Sequence, residues 1–180
     1  ATLHVMAEAM KRAYADRSEF LGDPDFVDIP VKGLTSKTYA ASRMADFDTE
    51  KATPAEGLSP GKPAPYESEE TTHYSVVDGE GNAVSNTYTL NFSYGVGLTA
   101  DGTGVLLNNE MDDFAADPAG VNAYGLAGSE ANAIAPGKRP LSSMTPTMLE
   151  NDRQLALLGT PGGSRIITMV LLGALEAMHG

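Results

Sequence analysis

Apolar side chains recur at helical spacing at the start of the chain. Leu3, Met6, Met10 and Ala13 fall on one stripe, with Glu8, Lys11 and Arg12 off it, so residues 2–15 are predicted to form an amphipathic helix. Gly22, Asp23 and Pro24 break that pattern. A second, weaker helical pattern covers residues 35–46. From Thr49 to Glu70 the periodicity stops, and Pro54, Pro60, Pro63 and Pro65 lie among Gly, Ser, Lys and Glu. Such a stretch buries little apolar surface and reads as an exposed, mobile linker. It ends immediately before Thr71.

From Thr71 the period becomes two. His73–Val77 and Ala83–Leu90 are rich in Val, Thr and Tyr, and Asp78-Gly79-Glu80-Gly81-Asn82 between them is a hairpin turn. With Gly79-Glu80-Gly81 as the loop, Asp78 faces Asn82 and Thr71 falls opposite Thr89 on one face of the sheet. Thr87, Thr89 and Asn91 share a face, and Tyr88 and Leu90 point to the other. A short strand is predicted near Gly104–Leu107 and a buried strand over Leu155–Leu158. A helix then follows, built on Ile166, Ile167, Val170, Leu171, Ala174, Leu175 and Met178. It is apolar nearly all round, which predicts an internal or sheet-covering helix.

Composition narrows the classes of function. In 180 residues, 12 Lys and Arg stand against 24 Asp and Glu, for a net charge of −12. That balance argues against nucleic acid and anionic membrane surfaces as partners, because both need a basic patch. Apolar residues make up 42% of the chain, yet no run approaches the roughly 18 residues that span a bilayer. The expectation is a water-soluble globular domain. With no cysteine, disulfides, thiolate zinc sites and a cysteine nucleophile are excluded. Only three histidines are present, which leaves few nitrogen ligands for a metal. Ala1 opens directly into an amphipathic pattern, as if a longer polypeptide continued upstream.

Four segments carry candidate chemistry. Thr71 follows the linker and starts a strand; its hydroxyl becomes a competent nucleophile when the chain is cut before it, because the freed α-amine then serves as base. A plain β-branched strand start fits the same spacing. Asn108-Asn109-Glu110-Met111-Asp112-Asp113 sets carboxylates past a strand end, suited to a substrate ammonium, to a metal (less so with so few histidines and no cysteine) or to solvent. Lys138-Arg139-Pro140-Leu141-Ser142-Ser143-Met144-Thr145-Pro146-Thr147 sets hydroxyls beside a basic pair, suited either to a carboxylate or to local turn caps. Gly162-Gly163 precedes a helix, where backbone N–H groups suit a developing oxyanion; steric need alone also explains glycine there.

Taken together these segments resemble γ-glutamyltranspeptidase. The resemblance is carried by Thr71-Thr72-His73-Tyr74-Ser75-Val76-Val77-Asp78, Leu107-Asn108-Asn109-Glu110-Met111-Asp112-Asp113-Phe114, Arg139-Pro140-Leu141-Ser142-Ser143-Met144 and Thr160-Pro161-Gly162-Gly163-Ser164-Arg165. Arg17-Ser18-Glu19-Phe20-Leu21-Gly22-Asp23-Pro24 is similar to the end of that family's large subunit. The match runs over essentially the whole chain.

The resemblance implies an α+β fold, the αββα sandwich of the N-terminal-nucleophile hydrolases, incomplete in this chain. It implies self-cleavage at Glu70–Thr71. Residues 1–70 would then be the C-terminal part of a large subunit, and residues 71–180 the N-terminal part of the small, catalytic subunit. The two would share one structural domain and stay associated as a heterodimer with the remainder of both subunits. Thr71 would attack the γ-carbonyl of glutathione or another γ-glutamyl donor. Water, or an amino acid or dipeptide acceptor, would complete the reaction, with no cofactor and no metal.

By the same resemblance Thr89 supports the nucleophile, and Asn91, Glu110 and Asp113 hold the substrate α-amino group. Ser142 and Ser143 help bind its α-carboxylate, the N–H groups of Gly162 and Gly163 form the oxyanion hole, and Tyr124 is a lid residue over the bound glutamyl group. A carboxylate-binding arginine of the early large subunit has no counterpart in these residues, so the expectation is an internal fragment that needs other chain segments or a partner copy to cover apolar surface. Localisation would be periplasmic or secreted. Two alternatives stay open: a glutaryl (cephalosporin) acylase on the same fold, and an uncut, inactive scaffold.

Overall fold

The computed structural model describes residues 2–54, 58, 71–117 and 128–179. Glu70, Tyr124 and most of the linker expected after Thr49 lie outside the described residues. The elements are helix α1 (Thr2–Phe20), short helices α2 (Val31–Leu34) and α3 (Lys37–Arg43), strands β1 (Thr71–Val77), β2 (Ala83–Thr89), β3 (Thr147–Glu150) and β4 (Leu155–Leu158), and helix α4 (Ile166–His179). Helix and strand are both present. The described strands form two antiparallel pairs, β1–β2 and β3–β4. No helix among the described residues is long and apolar enough to cross a membrane.

The chain divides into two compact units. The first comprises Ala1–Pro65 and Asp112–Leu141. Its long helix α1 runs five residues beyond the predicted end, up to the Gly22-Asp23-Pro24 break. The face it buries is not the predicted apolar stripe. Leu3 is 80% exposed, whereas Glu8 and Arg12 are almost completely buried. The reason is a charged network. Glu8 accepts from Lys11 (2.6 Å) and Arg12 (2.7 Å), and Arg12 also donates to Asp46 (2.7 Å). The Thr53 N–H donates to Glu8 (3.2 Å), and Lys11 Nζ donates to the Thr53 carbonyl (2.7 Å). Thr53, inside the stretch expected to be a free linker, is thus tied to α1. Charge-assisted bonds to every buried oxygen make burial of these charges tolerable. They hold the Glu8 carboxyl far below its ordinary pKa, chiefly through Lys11 and then Arg12. Within the predicted second helix, α3 is preceded by Ser36, whose hydroxyl accepts the Tyr39 N–H at 3.1 Å as an N-cap.

The second unit comprises Tyr66–Met111 and Ser142–Gly180. Its hairpin has the predicted register, with Thr71 opposite Thr89, His73 opposite Thr87 and Val77 opposite Ala83. The turn is closed by Asp78, which accepts from the N–H groups of Glu80 and Asn82 (both 2.9 Å) and from Asn82 Nδ2 (2.7 Å). One face carries Thr71, His73, Ser75, Thr87 and Thr89. The other carries Tyr74, Val76, Val84 and Tyr88, all exposed, with the two tyrosine rings edge to face at 6.2 Å.

Two expectations are corrected here. Gly104–Leu107 forms only an isolated bridge, Thr99 to Leu106, because Gly97, Gly102 and Gly104 all adopt positive φ and interrupt extended backbone. The predicted buried strand Leu155–Leu158 is only half-buried, with Leu155 exposed, and its partner β3 was not anticipated. Helix α4 packs against β4 and buries Ile166 and Val170, while Met169, Leu171, Leu172 and Met178 remain exposed.

Candidate active site

Thr71 is half-buried at the open end of the β1–β2 hairpin, and its cross-strand partner is Thr89. Strand alternation dictates that both point to the polar face. The Thr89 hydroxyl accepts the Asn91 N–H at 2.9 Å. That bond turns the chain sharply as β2 ends. Asn91 is the one non-glycine residue with positive φ among the described residues, at 75°, and it is 4% exposed. Asparagine tolerates this left-handed region better than most residues, and a buried outlier of this kind is more often found at functional sites.

Asn91 in turn ties the hairpin to the acidic segment. Its Nδ2 donates to the Asn109 carbonyl (3.1 Å), the Asn109 side-chain oxygen accepts the Phe92 N–H (3.1 Å), and the Asn109 N–H donates to Leu90 O (3.1 Å). Glu110 follows directly, its N–H donating to Asn108 Oδ1 at 3.0 Å. The structure therefore links Thr71, Thr89, Asn91 and Glu110 by one continuous path. Glu110 Oε1 is buried with no hydrogen-bond partner among the described residues. A buried carboxylate oxygen without a donor is costly. Glu110 and Asp113 are the two ends of one 3₁₀ turn, and Asp113 falls in the first unit.

The glycine pair is reached along the other edge. Ser85 Oγ donates to the Leu158 carbonyl at 3.1 Å, which joins β2 to the end of β4. The next residue, Gly159, lies under the His73 ring so closely that a Cβ there would overlap Nδ1. His73 is fixed from both sides, Nδ1 to Thr87 Oγ1 (2.8 Å) and Nε2 to Ser75 Oγ (3.2 Å). Gly162 (φ 137°) and Gly163 (φ 55°) then lead into α4, a path that side-chain-bearing residues rarely adopt.

The basic and hydroxyl segment is divided. Ser142 Oγ accepts the Met144 N–H at 3.0 Å, a local turn cap. Arg139 is engaged by Asp23 and Asp25, and Lys138 Nζ donates to the carbonyls of Ala131 and Ala133 (2.9 Å each). The pair beside the hydroxyls is thus occupied within the first unit. Among the described residues no group of three or more acidic or histidine side chains is placed to hold a metal ion. His73 and Gly159 are site-forming residues outside the candidate set read from the sequence, and Asn109, inside the acidic candidate segment, acts there through its backbone and amide rather than as a ligand. The one signal for His73 was its alternation with Thr71; Gly159 and Asn109 carry no local sign of their long-range contacts.

A model of the γ-glutamyltranspeptidase family matches residues 1–178. The chain belongs to the γ-glutamyltranspeptidase family. It is 59% identical over 170 residues to the glutathione hydrolase proenzyme of Escherichia coli K12, covering 94% of this chain and 29% of that protein. It is 51% identical to the glutathione hydrolase proenzyme of Pseudomonas aeruginosa, covering 93% of this chain and 30% of that protein. A third relative, the acylase ACY 1 proenzyme of Pseudomonas sp. SE83, is 40% identical over 94% of this chain and 28% of its own length. The chain thus spans about three-tenths of the length of the curated relatives it matches. Among solved structures, a mutant γ-glutamyltranspeptidase of Helicobacter pylori matches with a TM-score of 0.56 and 54% identity, over 61% of this chain and 60% of that one.

Proposed function

We propose that this chain carries the nucleophile and part of the acyl pocket of an enzyme that hydrolyses and transfers γ-glutamyl groups, and that it does so after cleavage between Glu70 and Thr71. The observation that carries this reading is the path from Thr71 through Thr89 and Asn91 to Glu110. A nucleophile and an amine-binding carboxylate are what a γ-glutamyl amide requires of a site.

In the proposed reaction the freed α-amine of Thr71 takes the hydroxyl proton as Oγ bonds to the γ-carbonyl carbon. The N–H groups of Gly162 and Gly163 hold the charge that develops on the carbonyl oxygen. The amide C–N bond breaks, the leaving amine receives the proton, and a γ-glutamyl ester of Thr71 remains. Water releases glutamate, or the amine of an amino acid or dipeptide takes the acyl group; either way the proton of the attacking group returns to Thr71. Asn91, Glu110 and Asp113 would hold the donor's α-ammonium, Ser142 and Ser143 its α-carboxylate, and Tyr124 would cover it. The two antiparallel pairs would belong to the two sheets of an αββα sandwich, with the cut chains forming a heterodimer. A periplasmic or secreted location is part of the same reading.

The acylase relative supports a second reading, in which the acyl group is glutaryl. Glu110 Oε1 favours the first: a buried acceptor with no donor among the described residues suits an ammonium, and a glutaryl chain brings none. Turnover of γ-glutamyl and glutaryl anilides by the processed protein tests both. The proposal predicts a preference for the γ-glutamyl compound of at least about a hundredfold, on the scale of an unpaired buried charge. Equal or reversed rates would favour the acylase reading, and no turnover of either by cut protein would favour a scaffold.

A further inference from the structure

Cleavage before Thr71 would sever the first compact unit into two chains, since that unit is built from Ala1–Pro65 and Asp112–Leu141. We infer that residues 19–26 and 129–139 form the joint that keeps those two chains together, with the buried Asp23 carboxylate and the exposed Arg139 guanidinium that caps it at its centre. The inference rests on the proposed cut only for its biological occasion; the joint itself is a property of the folded unit.

Several contacts among the described residues join the two sides. The Asp23 side chain is 1% exposed. Its Oδ2 accepts both the Arg139 backbone N–H (2.9 Å) and Nε (3.0 Å), and its Oδ1 accepts Arg139 Nη2 (2.5 Å). This is a two-pronged guanidinium–carboxylate pair reinforced by a main-chain donor, a geometry lysine cannot reproduce. Arg139 Nη2 also reaches Asp25 at 2.6 Å. Beside it, Gly22 lies so close to Ala131 that a methyl group there would overlap the Ala131 carbonyl. Ser129 Oγ donates to the Glu19 carbonyl at 3.3 Å. Lys138 Nζ, held by two carbonyls of the 129–139 side, stands 6.0 Å from the centre of the Phe26 ring, at the limit of a cation–π contact.

The sequence separation is what makes this a joint between chains. Asp23 and Arg139 are 116 residues apart, and position 71 lies between them. An exposed ion pair adds little cohesion. Here the carboxylate is buried, so removing its partner leaves a charge without compensation.

The test uses the 180-residue chain with residues 59–65 replaced by the recognition sequence of a specific protease. The pieces can then be generated whether or not the chain cuts itself. After digestion, the urea concentration at which the two pieces separate on size exclusion is compared among the parent, D23N and R139K. The parent pieces are expected to co-elute in buffer. Both variants should separate at lower urea, with the dissociation constant raised at least about tenfold, and D23N combined with R139K should cost less than the sum of its single changes. Hydrogen exchange at the Arg139 N–H, protected in the cut parent and faster in D23N because a neutral amide oxygen is a weaker acceptor than a carboxylate, locates the effect even where D23N lowers overall stability. Parent pieces that separate in buffer, or three proteins that separate at one urea concentration, would overturn the joint. Failure of the unmodified chain to cut itself would instead count against the cleavage proposal and leave this measurement readable.

Discussion

Thr71 and Thr89 are cross-strand partners, and the Thr89 hydroxyl accepts the N–H of Asn91, the buried left-handed residue that ends the strand. One hydroxyl thus faces the nucleophile's position and also fixes the turn toward the acidic segment. Removing it has two separable effects. T89S should keep turnover of a γ-glutamyl anilide within about tenfold, because the acceptor for Asn91 survives. T89V should lower kcat by about a hundredfold or more, the usual scale for one lost polar group at a reacting centre. Steady-state kinetics on the processed variants checks this.

The contact of His73 with Gly159 sets how closely the nucleophile strand approaches the segment leading to Gly162 and Gly163. G159A should destabilise the protein by about 1–3 kcal/mol, the ordinary scale of overpacking, and should slow appearance of the Thr71 N-terminus. In H73A/G159A the new methyl has space, so the double variant should be more stable than G159A alone. Urea unfolding of the single and double variants measures the coupling.

Asn91 pairs a strained backbone with a side-chain bond to Asn109. N91A loses the bond and keeps the strain, whereas N91G loses the bond and relieves the strain. N91G should therefore be more stable than N91A by about 1 kcal/mol, read from unfolding midpoints. Both should raise KM for the γ-glutamyl donor.

Acid should loosen the first unit before neutral pH affects it. Arg139 holds the Asp23 carboxyl far below its ordinary value, through its side chain first and then its backbone N–H, and Lys11 and Arg12 do the same for Glu8. A carboxyl with a lowered native pKa contributes fully above its unfolded value of about 4 and loses that contribution as pH falls toward the native value. Urea midpoints should thus be flat from about pH 7 to pH 5 and fall below about pH 4. In the double variant E8Q/D23N the slope below pH 4 should be shallower.

Local chemistry made the β1–β2 hairpin legible: alternation fixed the faces, and Asp78 to Asn82 fixed the loop and hence the Thr71–Thr89 register. Helix α4 was legible from its apolar run. Strand β3 was missed because Thr147–Glu150 is only four residues long, follows Pro146, and is stabilised by pairing with β4. Periodicity registers hydrophobicity and so points to the apolar stripe as the buried face of α1, whereas Glu8 and Arg12 are buried by partners 34 to 45 residues away. Asp23 with Arg139, and His73 with Gly159, are products of tertiary approach and leave no periodic trace.

The most direct test of the account is the intact mass of the chain under denaturing conditions, with N-terminal sequencing of each species. The account predicts two species, one of them beginning Thr71-Thr72-His73-Tyr74. A single 18.8 kDa species, stable over prolonged incubation, would contradict it, because Thr71 would then remain in a peptide bond with no free α-amine to activate its hydroxyl.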